Sequence, residues 1–269
     1  ETNLKQKKVA LSKTPAACHA GGHDGHVSML IAAATYIAKH KDELTGRVMV
    51  VFESGEESQP SSWPYIVEAL KKEKADAIWG IHLYAMMKAG TISVDAGPRM
   101  SGAGAFIFTI HGRGGHGSMP HLTVDATLVA AQIAVALQTI VSRNVDPRQM
   151  AVVTVGALHA GSAPNVIAET AEMRLSVRAY APEVREALRR RIIELVRTQA
   201  VVFGAQVEID YRWRYPALHN SPEMTAFAQQ VIRDWLGEDG LIAGMEPLTG
   251  SEDFSFMLEA CPGCYVIIG

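Results

Sequence analysis

The segment RVMVVFES, residues 47–54, decides the fold class. It is a continuous apolar run with β-branched residues, which is typical of a strand buried on both faces in a parallel sheet. A second run, AIWGIHLY at residues 77–84, has the same character. Helical patterns flank these runs, because residues 26–39 predict a buried helix and residues 62–73 predict another. Strands that alternate with helices indicate an α/β sheet.

A different pattern occupies the middle of the chain. Strand-like segments at residues 105–111, 151–159, 171–180 and 206–213 accompany long helices at residues 124–142 and 182–203. Their order, β-α-β-β-α-β, predicts a ferredoxin-like unit with two helices on one face of an antiparallel sheet. Beyond it, residues 222–236 predict a helix and residues 264–268 a core strand. We therefore predict an α/β domain, residues 1–100 and 217–269, interrupted by an α+β domain at residues 101–216.

Composition argues against several function classes. The 269 residues carry a formal net charge of −3 with acids and bases interspersed, so no basic stripe indicates nucleic-acid binding. No apolar run approaches the length of a membrane span, since the longest candidate, residues 29–38, is too short. Cys18, Cys261 and Cys264 make no disulfide framework, which favours a reducing cytoplasm. Cys261 and Cys264 have redox-motif spacing, but without a thioredoxin-like context they are interpreted as ordinary loop cysteines.

Histidines and carboxylates come from three separate segments. Ligands bind outside the carboxyl ends of the strands in open α/β sheets. The first strand runs into Glu56 and Glu57, the second carries His82 near its end, and GGHDGH brings His23 and Asp24 to the start of a helix. The sequence therefore predicts that these side chains meet at one edge of the sheet.

This mixture of side chains suits a metal site. Imidazole and carboxylate groups bind Zn²⁺ and its neighbours, and a nearby carboxylate can take a proton from water. Of two adjacent glutamates, one can bind the metal and the other act as base, while Asp24 can orient a ligand. The alternative is a solvated glutamate pair and a core histidine. His19 and His26 are predicted to serve local structure.

The segment GRGGHGSMPH, residues 112–121, contains the pattern G-x-G-x-x-G after a strand. A dinucleotide loop is one interpretation, but a proline follows and no acidic residue lies about 20 residues on. Glycines that let His116 approach a ligand are the other interpretation. His121 would then help to cap the following helix.

Together these segments resemble the two-metal aminoacylase/carboxypeptidase superfamily, in the amidohydrolase branch with hippurate hydrolase and the indole-acetyl-amino-acid hydrolases. Members typically carry HACGHDGH, PAEE, GLHV, GKGGHAAMPH, NVIP and GGEDFS. This chain has HAGGHDGH, SGEE, GIHL, GRGGHGSMPH, NVIA and GSEDFS in the same order, from about residue 17 to residue 269.

The resemblance implies a role for each matching position. His23, Glu57 and His82 match metal ligands, and Glu56 matches the general base that activates water. His116 matches a histidine of the lid domain that polarises the scissile carbonyl, often in the active site of the dimer partner.

Three further positions match residues that hold the substrate: Asn165, Arg178 and, in GSEDFS, Ser251. A fixed guanidinium suits the free carboxylate of an amino acid. The resemblance thus implies a metal-dependent amidohydrolase that cleaves N-acyl or N-aroyl amino acids, or dipeptide-like amides. It implies one or two divalent ions, Zn or Mn with Co or Ni as alternatives, and a homodimer formed through the lid domain. Nucleic acid and membrane are not expected as partners.

The chain departs from the family pattern at Gly21, where relatives have a cysteine that can bridge two ions. It also lacks a counterpart of the acidic N-terminal segment and of a C-terminal histidine ligand. Two explanations stay open: a piece of a longer protein, or a relative with little metal that binds acyl amino acids without hydrolysing them.

Overall fold

The computed structural model of the chain describes residues 21–58 and 60–269. In chain order, the helices and strands are α1 (His23–Lys39), α2 (Trp63–Glu73), β1 (Ile78–Leu83), β2 (Ile92–Ser93), β3 (Gly97–Met100), β4 (Gly102–His111), β5 (Gly115–His116), α3 (Ala126–Asn144), β6 (Ala151–Ala160), β7 (Val166–Ile167), β8 (Thr170–Ala179), α4 (Pro182–Val202), β9 (Gln206–Tyr215), β10 (Leu218–Asn220), α5 (Pro222–Leu236), β11 (Leu241–Ile242), α6 (Phe254–Ala260) and β12 (Gly263–Ile268). Short 3-10 helices occupy Lys41–Glu43, Pro120–Leu122 and Glu238–Gly240.

The chain forms two compact units. The first comprises the residues up to Gly97, His219–Glu246 and Phe256–Gly269. The second comprises Pro98–Leu218 and Pro247–Ser255. Each unit therefore contains segments that are far apart in the sequence.

The second unit has the predicted β-α-β-β-α-β topology. Strands β4, β6, β8 and β9 form an antiparallel sheet in the order β6-β8-β4-β9, with α3 between β4 and β6 in the chain and α4 between β8 and β9. The first and third of these strands lie in the middle, and the second and fourth at the edges. The predicted ferredoxin-like topology is confirmed.

One face of this sheet packs against both helices and forms the core of the second unit. Phe106, Phe108 and Ile110 alternate with half-buried residues in β4 and are fully buried. Their burial follows from the two-residue period of a strand, which sends every second side chain to the same face. Ile133 of α3 and Ile192 of α4 are also fully buried in this cluster.

The expectation that no apolar run reaches the length of a membrane span is wrong for helix α3. The helix has 19 residues, and its most apolar window has a mean hydropathy of 1.4, enough by length and composition for a membrane span. Six of its residues are buried in the second unit. The apolar composition of α3 is therefore explained by that core, because a helix buried in a protein interior is apolar for the same reason as a spanning one.

The first unit contains a mixed four-stranded sheet in the order β1-β12-β2-β11. Strands β1 and β12 are parallel, as are β2 and β11, whereas β12 and β2 are antiparallel. Helix α5, which has the predicted bounds, contributes Ala228 and Ile232 to a small buried cluster with Cys264 and Val266 of β12. This arrangement agrees with a mixed α/β fold.

Residues 47–54 do not form the predicted strand. Val48, Met49 and Phe52 are 52%, 42% and 52% exposed. Within the described residues this segment belongs to no strand ladder. An apolar run of this kind is compatible with a buried strand, but the strand itself needs hydrogen bonds to a neighbour.

Helix α1 begins three residues earlier than predicted and is not the buried helix that was expected. None of its residues, all of which are described, is buried, and Ile31 is 52% exposed. It approaches β1 at Gly25, where an added Cβ would lie 2.5 Å from Cδ1 of Leu83. An apolar face becomes buried only where another surface covers it, which composition alone does not specify.

The cysteines at 261 and 264 are free thiols, and both are buried. Cys264 lies in β12, so the description of the pair as loop cysteines is wrong for this residue. Burial raises the pKa of the Cys264 thiol to about 11. A thiol with such a raised pKa is a poor nucleophile at neutral pH.

Candidate metal centre and substrate-binding residues

Gly22 sets the start of α1 and thereby the position of His23. Its φ is 83°, a left-handed conformation that favours glycine. His23 and Asp24 are consequently the first two residues of the helix. The carboxylate of Asp24 accepts a hydrogen bond from the N–H of Gly25 at 2.9 Å, and no contact described for it reaches His23. The structure therefore does not bring Asp24 onto the His23 ring, although its charge suits the first turn of a helix.

His82 lies one residue before the end of β1. Its Nδ1 is 2.6 Å from the carbonyl oxygen of Leu83. Because a carbonyl oxygen only accepts, Nδ1 carries the proton and Nε2 keeps a free lone pair. Histidines that bind metals are commonly held in this way by a backbone carbonyl.

His26 belongs to the same cluster, although the sequence suggested only a local role. Its Nε2 accepts a hydrogen bond from the N–H of Leu83 at 2.9 Å, and its ring centroid lies 4.5 Å from that of His82. Burial, followed by the neighbouring His82 and His23, lowers the pKa of His26 to about 4. A neutral His26 therefore tethers α1 to β1. The spacing of His23 and His26 contained the signal, since residues i and i+3 of a helix share a face.

Glu56 and Glu57 lie in the turn that follows residues 47–54. Gly55 has a φ of 81°, and its carbonyl accepts a hydrogen bond from the N–H of Ser58 at 3.0 Å. This turn directs Glu57 toward the start of α1, where Oε1 of Glu57 lies 3.8 Å from Nε2 of His23. The Glu57 side chain is 70% exposed and so has room to adjust.

Two groups of potential ligands share His23. One contains His23, His26 and His82, and the other contains His23, Glu56 and Glu57; within each group the ligand atoms lie within 4.8 Å of one another. Ligand atoms of one tetrahedral zinc ion are roughly 3.3 Å apart, given bonds of about 2.0–2.1 Å. The observed spacing thus requires only small side-chain movements. These nitrogen and oxygen donors fit a divalent cation.

In the second unit, a two-stranded ladder brings His116 close to Asn165. Strand β5 pairs with β7, with His116 opposite Val166. The N–H of Gly117 donates to the carbonyl of Asn165 at 2.8 Å. A Cβ on Gly117 would lie 3.1 Å from that carbonyl, so glycine permits the close approach. His116 and Asn165 are therefore neighbours by backbone pairing.

The other glycines of residues 112–121 also serve backbone packing. A Cβ on Gly112 would lie 2.2 Å from the carbonyl oxygen of Val124. No α-helix begins directly at this loop, because α3 begins only after the N-cap Asp125, whose carboxylate accepts from two backbone N–H groups. These features disfavour a dinucleotide loop. His121 lies in a 3-10 helix and does not cap α3, which corrects that expectation.

Arg178 is held by the segment that contains Ser251. Its Nη1 donates to the carbonyl of Thr249 at 3.2 Å and to Oγ of Ser251 at 3.3 Å. No described bond occupies its Nη2 or Nε. Ser251 therefore orients the guanidinium, while two nitrogen atoms stay available for a ligand carboxylate.

The chain matches the family model described as peptidase family M20/M25/M40 over residues 9–269. It is 36% identical over 262 residues to IAA-amino acid hydrolase ILR1-like 4 from Arabidopsis thaliana, covering 96% of this chain and 59% of the relative. It is 33% identical over 260 residues to thermostable carboxypeptidase 2 from Saccharolobus solfataricus, covering 96% and 65%. The chain thus spans less than two thirds of the length of these relatives.

A solved structure supports the same relationship. The Bacillus subtilis YXEP protein, described as a dinuclear metal binding peptidase from the M20 family, superimposes with a TM-score of 0.81 and 28% sequence identity. The match covers 98% of this chain and 68% of that one. Metal binding in that relative agrees with the nitrogen and oxygen donors found in the first unit.

Proposed function

Because the chain belongs to peptidase family M20/M25/M40, we propose that it is the core of a metal-dependent amidohydrolase. The proposed reaction cleaves an N-acyl or N-aroyl amino acid, or a dipeptide-like amide, to a carboxylate and a free amino acid. Relatives named as an IAA-amino acid hydrolase and a carboxypeptidase support this substrate class.

The convergence of donor atoms around His23 is the observation that carries this proposal. His23, Glu57 and His82 are the proposed ligands of a divalent cation, Zn or Mn with Co or Ni as alternatives, in one or two copies. When bound, the cation supplies Lewis-acid polarisation and lowers the pKa of water. The Nδ1 bond of His82 to a backbone carbonyl favours this use of its Nε2.

Glu56 is the proposed general base. Its carboxylate lies within 4.8 Å of the ligand atoms of both His23 and Glu57. From that position it takes a proton from the attacking water and passes it to the leaving amine. A positioned carboxylate of this kind contributes about 10²–10⁴-fold to a hydrolysis rate.

The second unit supplies the proposed substrate-binding groups. His116 donates a hydrogen bond to the scissile carbonyl oxygen, and Asn165 beside it holds the substrate. The free nitrogen atoms of Arg178 bind the carboxylate of the amino acid, with Ser251 orienting the guanidinium. In this proposal the first unit is the metal-binding catalytic domain and the second is the lid.

We also propose a homodimer formed through the second unit. In the sheet formed by the described residues, β6 is an edge strand, and an edge strand leaves half of its backbone groups for pairing with another chain. Leu158 of β6 and Val135 of α3 are exposed, and α3 packs beside β6. These features support a surface that a second copy can cover. A cytoplasmic location stays a prediction from the sequence.

Hydrolysis of hippurate-like substrates by the complete gene product tests the proposed function. The protein is stripped of metal, restored with Zn²⁺ or Mn²⁺, and compared with Glu56→Gln. Glu68→Gln, an exposed glutamate of α2 in the same unit, is the matched control. We expect metal-dependent turnover that Glu56→Gln lowers at least about 100-fold and Glu68→Gln leaves unchanged. Absence of metal-restored turnover, or full turnover in Glu56→Gln, would refute the proposal.

A second candidate function is binding of acyl amino acids without hydrolysis. Gly21 favours it, because glycine offers no side-chain ligand where relatives have a thiolate. In that case Arg178 and Asn165 still bind the ligand, but the cluster around His23 retains little metal. Elemental analysis of the purified protein distinguishes the two, since one or two tightly bound ions per chain argue against this candidate.

A further inference from the structure

His116 is followed two residues later by Ser118, whereas the family motif GKGGHAAMPH has alanine at that position. We propose that Ser118 is a positioning residue, which holds His116 in the tautomer protonated at Nε2. The inference rests on the proposed function, in which His116 donates a hydrogen bond to the scissile carbonyl oxygen.

The backbone of Ser118 determines which nitrogen of His116 is protonated. Its N–H lies 3.2 Å from Nδ1 of His116 in hydrogen-bonding geometry. A backbone N–H can only donate, so Nδ1 accepts and carries no proton. In neutral imidazole the proton then resides on Nε2. The opposite tautomer would set one N–H against another.

The hydroxyl of Ser118 adds a second and shorter bond to the same atom. Oγ lies 2.8 Å from Nδ1, and because Nδ1 is an acceptor the hydroxyl must donate. His116 is exposed, so water competes for its ring nitrogen atoms. Two donors from one residue offset that competition and fix the ring on the β5–β7 ladder. Nε2–H is left as the only ring donor for a carbonyl oxygen.

Nitrogen NMR of the histidine rings tests this assignment. The zinc-loaded protein is labelled with ¹⁵N-histidine and measured near pH 8.5, about two units above the ordinary pKa of histidine. His116→Gln identifies the signal. We expect an unprotonated Nδ1 and a protonated Nε2 in the wild type. In Ser118→Ala the fraction with the proton on Nδ1 should rise about threefold or more, as expected for loss of one neutral hydrogen bond.

Turnover should also fall, because Ser118→Ala weakens the fixing of the ring as well as shifting the tautomer. Ser118→Ala should lower kcat about threefold or more with little change in KM, and Ser118→Thr, which keeps a hydroxyl, should restore both kcat and the NMR signal. Ser142→Ala, which removes an exposed hydroxyl from α3, is the matched control and should change neither. A wild-type His116 protonated at Nδ1 overturns the inference. So does a Ser118→Ala variant that matches Ser142→Ala in tautomer and kcat. Because the NMR signal requires no turnover, failure of the proposed function and failure of this inference give different results.

Discussion

The two units of this chain differ in the hydrophobic cores formed by their described residues. The second unit has a large closed core, in which Phe106, Phe108 and Ile133 are fully buried. Among residues 21–58 and 60–269, the first unit has a smaller buried cluster, and α1, which begins with the candidate ligand His23, contains no buried residue. His23 therefore lies on a helix without a buried residue, whereas His82 lies on β1, whose Ile81 packs against the cluster of the first unit.

This difference has a physical consequence for how each unit is held together. Burial of apolar side chains orders the second unit. The histidine cluster of the first unit depends instead on individual hydrogen bonds. The N–H of Leu83 donates to His26, and His82 donates to the carbonyl of Leu83. A bound cation that cross-links His23, Glu57 and His82 would stabilise the first unit selectively, because a ligand of the folded state adds to its stability.

The largest expected effect is on the core of the second unit. Phe106→Ala removes a fully buried ring that packs 4.6 Å from the ring centroid of Tyr211. It should lower the free energy of unfolding by about 3–5 kcal/mol, as large-to-small core substitutions do. Ile31→Ala, at an exposed position of α1, should change it by less than about 0.5 kcal/mol. Urea unfolding followed by circular dichroism measures both variants. Equal decreases in the free energy of unfolding would show that the second-unit core does not contribute more to stability than α1.

Substitutions in the first unit, and not those in the second, should weaken metal binding. His82→Ala removes a proposed ligand and should weaken Zn²⁺ binding by at least about 100-fold, the upper end of what loss of an outer-shell partner causes. His116→Ala should leave the affinity unchanged while lowering turnover. Isothermal titration calorimetry with Zn²⁺ gives both affinities. If only His116→Ala weakened Zn²⁺ binding, the metal site would not lie in the first unit.

Restoration of the missing thiolate should strengthen the site. Gly21 directly precedes Gly22, the N-cap of α1, and so lies next to the start of the helix that carries His23. Gly21→Cys should raise Zn²⁺ affinity about tenfold, since thiolate is a preferred zinc ligand. Gly21→Ser, of similar size, is the control and should have little effect. Equal affinities in the two variants would mean that position 21 does not face the metal.

The effect of pH on stability shows how well the core of the first unit excludes water. The pKa of Cys264 is about 11 in the folded chain against an ordinary value of 9.0, so the neutral thiol is favoured by folding. Its contribution to stability is complete below pH 9 and is lost as the pH rises from 9 to about 11. Unfolding in urea at pH 8, 9, 10 and 11 should show this decline in the wild type and a smaller one in Cys264→Val. Identical pH profiles would indicate a hydrated thiol.

Local signals made much of the fold predictable. Helix α5 was predicted with its observed bounds because Pro222 starts it and Gly237 ends it, with a φ of 75°. The β-α-β-β-α-β unit followed from alternating strands between amphipathic helices. Two-residue strands such as β2 and β11 carry too little sequence pattern to be recognised.

The predictions that failed depended on what surrounds a segment. Residues 47–54 have the composition of a buried strand but no paired neighbour in the described chain, and the apolar face of α1 is exposed. At the candidate site, the sequence anticipated that His23, Glu57 and His82 would converge. It did not anticipate the bond from Leu83 to His26, because a contact between residues 57 positions apart leaves no local pattern. It also suggested support from Asp24, whose carboxylate instead binds the adjacent N–H.

Anomalous X-ray scattering from crystals of the zinc-loaded complete protein tests whether His23, His82 and Glu57 bind the cation. We expect a zinc peak about 2.0–2.2 Å from a ring nitrogen of His23, from Nε2 of His82 and from a carboxylate oxygen of Glu57. Glu56 should lie close to the ion with its carboxylate not among those three ligands. A zinc ion held by other residues, or no peak at these side chains in protein that hydrolyses amides, would show that His23, Glu57 and His82 are not the metal ligands.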